Sequence, residues 1–171
     1  MSDEQDMKQI FESENISFVE ISETLARDYL LMVNDDEHVN KYIGGRYGGS
    51  SEPYTEKQEI QWVRSKLAEN ASVFSMIEKS SNKFIGNTEF MNPTDTEGEL
   101  GIALTALMQD KGYGTEAVLA VTKYGFERLG FTRVFLRTRT YNSRAIHVYE
   151  KCGFKEYNRD SEHVYMEKVK N

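Results

Sequence analysis

Two short stretches of this sequence hold residues that could do chemistry at a spacing that needs explaining. In the first, QDKGYGTEA (Gln109 to Ala117), Gly112 and Gly114 bracket a tyrosine immediately ahead of a helix-forming run. Glycine lets a ligand approach the main chain and adopts positive φ without strain, and the first amides of a helix are unpaired donors that favour an anion. The stretch therefore suits a phosphate, or else it is a loop that needs two pliable residues. The second stretch is NSRAIHVYEKCGF, in which Asn142 opens a short helical run and Tyr149 follows two turns later, on nearly the same face. The amide and the phenol are thereby placed on one side of the same short helix. The plainer readings are a helix cap and a core aromatic.

The surrounding elements decide between these readings. NISFVEIS (Asn15 to Ser22) reads as a strand and SETLARDYLLMVND as a helix capped by Ser22, with a short helix over EHVNKYI and a Gly- and Ser-rich surface loop, GGRYGGSSEPY, after it. TEKQEIQWVRSKLAEN opens with Thr55 and places Ile60, Val63 and Leu67 at helical spacing. SVFSMIEKS and KFIGNTEFMN form a hairpin turned by SNK. GELGIALT is then a strand, ALMQDK a loop, Gly112 to Gly130 a helix and TRVFLRTRT a strand, which makes a βαβ unit with parallel neighbours. The helix over NSRAIHVYEKCGF, stopped by Gly153, leads into two closing strands around EYNR and HVYMEKV. Together these predict a single α/β domain over 1–171, with a central mixed sheet of about seven strands flanked by about four helices. The polar start, residues 1–14, is expected to be poorly ordered.

Nucleotide motifs narrow the chemistry. No GxxxxGK[ST] is present, so a P-loop is excluded. Gly112, Gly114 and Ala117 satisfy GxGxxA, but about six loop residues separate the strand from the glycine, and no acidic residue follows at the distance that a ribose needs. What fits is Gln109-x-x-Gly112-x-Gly114 between a strand and a helix, with Asn142 and its helix after the next strand. These residues resemble the [QR]-x-x-G-x-[GA] signature of the GNAT superfamily of acetyl-CoA-dependent N-acetyltransferases. The pattern GELGIAL, KGYGTEA, then VYEKCGF resembles its RimJ- and RimL-like branch.

The resemblance implies an acyltransferase that uses acetyl-CoA as cosubstrate and acts on a primary amine, at a peptide or protein N-terminus or in a small molecule, by direct attack in a ternary complex. It implies that Gln109, Asp110, Lys111, Gly112, Tyr113, Gly114 and Thr115 cradle the pyrophosphate, with Lys111 either adding charge or remaining a solvated loop lysine. Ile102, Ala103 and Leu104 would pair through their main chain with the pantetheine arm, and Asn142 would bond the same arm or simply cap its helix. Tyr149 would protonate the departing thiolate. The base would be Glu99, at the start of the cofactor strand, with Glu89 second and water third. Tyr42, Tyr47 and Trp62 are the aromatics available to shape the acceptor site. Two other readings remain open at this stage: an acyl-CoA-binding module without transfer, and a dinucleotide-binding redox protein.

Composition sets the outer limits. Twenty-one Lys and Arg against 28 Asp and Glu give a net charge of −7 spread along the chain, which argues against a general nucleic-acid binder and accommodates a cationic partner or simple solubility. His38, His147 and His163 are scattered without metal-ligand spacing, so no metal site is expected. The single cysteine, Cys152, forms no internal disulfide and ends a helix rather than facing a base, so it reads as buried and inert. With no signal-peptide pattern and no apolar run of spanning length, the sequence predicts a cytoplasmic protein without membrane or nucleic-acid partners, with a homodimer compatible.

Overall fold

The computed structural model describes residues 7–43 and 52–171. Tyr47 and most of the Gly- and Ser-rich loop lie outside the described residues. Among the described residues eight strands form one sheet: β1 (Gln9–Glu12), β2 (Ile16–Glu20), β3 (Val73–Glu78), β4 (Phe84–Met91), β5 (Glu97–Leu104), β6 (Arg133–Arg139), β7 (Lys155–Arg159) and β8 (His163–Val169). Their spatial order is β1-β2-β3-β4-β5-β6-β8-β7, and every neighbouring pair is antiparallel except β5 with β6. The sheet has one strand more than the sequence predicts. The additional strand, β1, is polar on its outer residues and lies in the segment expected to be poorly ordered. It is held by pairing to β2 and by Phe11, whose ring stacks between Phe18 and Tyr124 at centroid distances of 4.2 and 4.3 Å.

Four α-helices among the described residues cover the two faces: α1 (Ala26–Val33), α2 (Glu56–Ala68), α3 (Tyr113–Glu127) and α4 (Ser143–Lys151). Ser22 caps a 3₁₀ turn over Glu23–Leu25, and α1 proper begins only after it. The predicted helix over EHVNKYI shrinks to one wide turn, Asp36–Asn40, started by the Asp35 carboxylate accepting from the His38 amide at 3.0 Å. Thr55 and Gln58 cap α2 reciprocally: the Thr55 amide donates to Gln58 Oε1 at 2.8 Å and the Gln58 amide donates to Thr55 Oγ1 at 3.3 Å.

Cross-strand partners share a face, so the two cores follow from register. On one face α1 and α2 pack over Val19, Ile21, Val73, Ile77 and Phe84. On the other, α3 and α4 pack over Phe90, Leu100, Val134, Leu136, Val164 and Met166. Within the site-bearing pair, Glu89, Glu99 and Ala103 face α1 and α2, whereas Leu100, Ile102 and Leu104 face α3 and α4. No helix among the described residues is long and apolar enough to cross a membrane.

The β4/β5 ladder allows no side chain at one point. A Cβ added at Gly86 would lie 2.0 Å from the Ala103 carbonyl oxygen, which is main chain and cannot rotate aside. Gly86→Ala is expected to lower the unfolding free energy by about 3 kcal/mol, at the upper end for overpacking a core, as read by urea denaturation. A loss under about 1 kcal/mol would show that the ladder yields there.

Candidate functional site

The site begins where a ladder stops. β5 and β6 pair only through Glu97–Arg133, Gly98–Val134 and Glu99–Phe135. Beyond Glu99 each strand keeps its other neighbour, β4 or β8, and the two diverge. The Thr105 amide donates to Ile85 O at 2.9 Å, and alternation along an antiparallel pair then directs the main-chain groups of Gly101 and Ala103 towards β4 and those of Ile102 and Leu104 towards the opening. A cleft of about 800 Å³ runs through this wedge from the α3/α4 side to the α1/α2 side.

The loop between β5 and α3 closes one end. Asp110 and Gly112 both have positive φ, 61° and 86°, so successive amides turn inward ahead of the α3 N-terminus. Gly112 meets the conformational need anticipated for it. Gly114 does not, because its backbone is ordinary and its Cβ position is 3.7 Å from Leu104 Cδ1 and 3.9 Å from Val148 Cγ1, in the throat of the cleft. Gln109 fastens the loop: its Nε2 donates to Leu104 O at 3.0 Å and to His38 O at 3.1 Å, and its Oε1 accepts from Arg144 at 2.7 Å. Arg144, which sequence reasoning passed over although it stands two residues after Asn142, also reaches both Asp110 carboxylate oxygens at 3.3 Å. It brings a cation from α4 to the mouth of the amide nest.

The predicted residues mostly converge. Glu99, Ile102, Ala103, Leu104, Gln109, Asp110, Gly112, Gly114, Thr115, Asn142 and Tyr149 line the cleft, as do Tyr42, Trp62 and Glu89. Lys111 and Tyr113 do not. Lys111 is exposed outside the cleft, and the Tyr113 hydroxyl turns away to donate to the Glu78 carboxylate on β3, which pushes that phenol up to about 12. Only the main chain of these two positions serves the loop. Asn142 Oδ1 accepts from the Ala145 amide at 3.3 Å, so the residue caps α4 and keeps its Nδ2 donor for the cleft. Cys152 is buried and its thiol is pushed up by that burial, as expected of an inert residue.

Tyr149 is 8% exposed and no partner bonds its hydroxyl among the described residues. Burial raises its pKa to about 12, with Cys152 adding to the shift, so it holds its proton throughout the physiological range. The two candidate bases differ. Glu99 is tied to Arg137 of β6, Nε to Oε1 at 3.4 Å, across the start of the wedge. Glu89 has no such partner among the described residues, and burial raises its pKa against the pull of Lys66, with Glu99 adding a smaller push.

A third carboxylate was missed. Glu59, in the first turn of α2, is 6% exposed, lines the cleft, and its side chain has no hydrogen bond or ion pair among the described residues. It sits one turn before Val63 and so shares the buried face, whereas the expected core residue Leu67 is 44% exposed. The apolar periodicity of α2 gives no hint of this, since the face is set by how the helix docks.

A wedge between parallel strands, closed by an amide nest at a helix N-terminus, defines a site for a phosphate-bearing ligand with an extended arm. Residues 16–155 match the family described as acetyltransferase (GNAT) domain, and the chain belongs to that family. Spermidine N(1)-acetyltransferase of Vibrio cholerae is 28% identical over 108 residues, 61% of this chain and 62% of that protein, so the match spans less than two thirds of that relative. Among solved structures, spermidine N-acetyltransferase from Vibrio cholerae in complex with CoA and spermine superposes with a TM-score of 0.79 at 19% identity, covering 92% of this chain and 96% of that one. Ribosomal-protein-S5-alanine acetyltransferase from Vibrio fischeri gives 0.74 at 20% identity, covering 93% and 95%. Both share the fold, and a set of relatives named for spermidine as well as for a ribosomal protein does not single out the RimJ- and RimL-like branch.

Burial pushes Glu59 from 4.5 up to about 7. The folded state then binds the extra proton between those values, so its stability falls as pH rises from about 4.5 through about 7. Glu59→Gln is expected to stabilise the protein by about 1–2 kcal/mol at pH 8, after allowance for solvent screening, and to leave stability at pH 4 unchanged. Urea denaturation at both pH values checks this, and equal effects at both would contradict it.

Proposed function

We propose that the chain transfers an acetyl group from acetyl-CoA to a primary amine by direct attack within a ternary complex. The observation that carries this reading is the wedge itself, which gathers an amide nest, a protonated phenol and the carboxylates Glu59, Glu89 and Glu99 into one cleft opening to both faces of the sheet. The residues present fit acetyl-CoA. The nest over 109–115 and Arg144 suit its pyrophosphate, the outward main chain of Ile102 and Leu104 beside Ala103 suits the amides of its pantetheine arm, and Asn142 Nδ2 offers one more donor. When bound, acetyl-CoA supplies an activated thioester carbonyl.

The chain's own groups then have separable tasks. Glu89 is the better base, because burial has raised its affinity for a proton while Glu99 is committed to Arg137. Glu99 and Arg137 hold the start of the wedge, and Glu89 accepts the proton that an alkylammonium must lose before it can attack. Tyr149 faces the arm from α4. With a pKa of about 12 it is a much weaker acid than an ordinary thiol near 8.5. Its task is therefore a hydrogen bond donated to the leaving sulfur, which strengthens as negative charge develops there.

Acetyl-CoA is expected to raise the melting temperature and NADH to leave it unchanged, since only a ligand of the folded state stabilises it. Equal shifts would reject the cofactor assignment. Gly114→Val places a branched side chain between Leu104 and Val148, so it should weaken acetyl-CoA binding at least about ten-fold while the melting temperature of the free protein moves by only a few degrees. Unchanged affinity would put the arm elsewhere. Tyr149→Phe keeps the ring and deletes the donor. In single-turnover measurements of thiol release its rate should fall about 10²-fold with little change in acetyl-CoA affinity, and a rate equal to that of the parent would remove Tyr149 from the mechanism.

A further inference from the structure

We infer that the acceptor carries a second ammonium group, as an α,ω-diamine or polyamine does, and that Glu59 binds the ammonium that does not react. The inference rests on the acetyl-transfer reading above for the position of the reacting amine, at the wedge beside Glu89 and Glu99. It concerns the wall of the cleft that lies over that point.

That wall is built by α1 and α2. Glu59, Trp62, Val63 and Lys66 share one face of α2 by helical spacing, and Glu59 and Trp62 line the cleft together with Tyr29 of α1. The polar groups around Glu59 are already engaged. The Tyr29 hydroxyl accepts from the Ser22 amide at 3.2 Å. Because Ser75 Oγ donates its own proton to Asn87 Oδ1 at 2.8 Å, the 2.5 Å contact between Tyr29 and Ser75 uses the tyrosine proton. Tyr29 thus has nothing left to donate to Glu59. Arg64, on the next position round the helix, is bound to Glu23 at 2.7 Å. Lys66 acts on Glu89, lowering its pKa against burial.

The cations of the cleft are also on the other side. Arg137 is held by Glu99, Arg139 is 3.7 Å from Glu162, and Arg144 is held by Asp110 and Gln109, all on β6 or α4. Among the described residues Glu59 is left as a carboxylate more than nine-tenths buried, facing the cleft, with no donor or cation bound to it. Burial of an unpaired carboxylate is unfavourable unless a partner arrives, and burial alone accounts for its raised pKa. A ligand ammonium is the partner of matching charge and geometry. The Trp62 and Tyr29 rings, 5.8 Å apart and edge to face, give the methylene stem between two ammonium groups an apolar, cation-tolerant wall. A peptide N-terminus without a basic side chain offers no such second charge.

The test compares primary n-alkylamines with α,ω-diamines of the same carbon count, from three to six carbons, and with spermidine. With the parent protein, kcat/KM for at least one diamine length should exceed that of its monoamine at least about ten-fold, the scale of one charged hydrogen bond. Glu59→Gln should raise KM for that diamine about ten-fold with kcat retained, leave the monoamine unchanged and abolish the preference, and Glu59→Asp should restore part of it. Calorimetric titration of the same amines into the CoA-saturated protein reads the affinities without turnover. Diamine binding that depends on Glu59 in a protein that releases no thiol would sustain this inference and reject acetyl transfer. Turnover of monoamines or peptide N-termini with no diamine preference, or a Glu59→Gln effect equal for monoamine and diamine, would overturn the inference and leave the enzyme reading intact.

Discussion

The molecule is organised around an interrupted ladder. Parallel pairing of β5 with β6 lasts three residues and then gives way, and almost everything of chemical interest is a consequence of that divergence. Main-chain groups that would have been consumed by a neighbouring strand become available to a ligand, and a passage opens between the two faces of the sheet. The divergence is affordable because β5 keeps β4 from Glu99 to Leu104 and β6 keeps β8 along its full length. Neither strand becomes a free edge, and the backbone satisfaction that a sheet requires is lost on one side only.

Around the wedge, charge is sorted by element. Basic residues come from β6 and α4, next to the amide nest, while the carboxylates Glu59, Glu89 and Glu99 come from α2, β4 and β5. Among the described cleft residues two contacts span the divide, Arg137 with Glu99 and Arg144 with Asp110; both are about half-exposed on the arginine side and each contributes at most about 1 kcal/mol. The wedge is therefore kept in shape by the hydrophobic layers on either side of it. One such layer is Leu100, Val134 and Leu136 under α3 and α4, and another is Val63 and Val73 with Tyr29 under α1 and α2.

Legibility in the sequence followed the range of the interactions involved. The glycine loop, the α3 and α4 boundaries and the hairpin of β3 and β4 are written in local turn and capping chemistry, and they are found where that chemistry places them. β1 was not legible, because QIFE has no alternation of its own and its hold depends on Phe11 meeting rings from β2 and α3. In the site, Gln109, Gly112, Asn142 and Tyr149 could be found because their pattern resembles a family signature. Arg144 and Glu59 could not, since one matters through a loop 34 residues earlier in the chain and the other through the docking angle of a helix. The same limit explains Tyr113. Its position in the motif is right, but its hydroxyl is claimed by Glu78 from the opposite direction.

Gln109 has a consequence for how the protein breathes. One amide side chain joins the end of β5, the turn that follows α1 and the start of α4, partners up to 71 residues distant in sequence. Opening the loop by a local fluctuation must release all three at once. Native-state hydrogen exchange is therefore expected to show the segments around the cleft as one cooperative unit, with the amides of the Asp36–Asn40 turn exchanging in step with those at the start of α4 rather than fraying on their own.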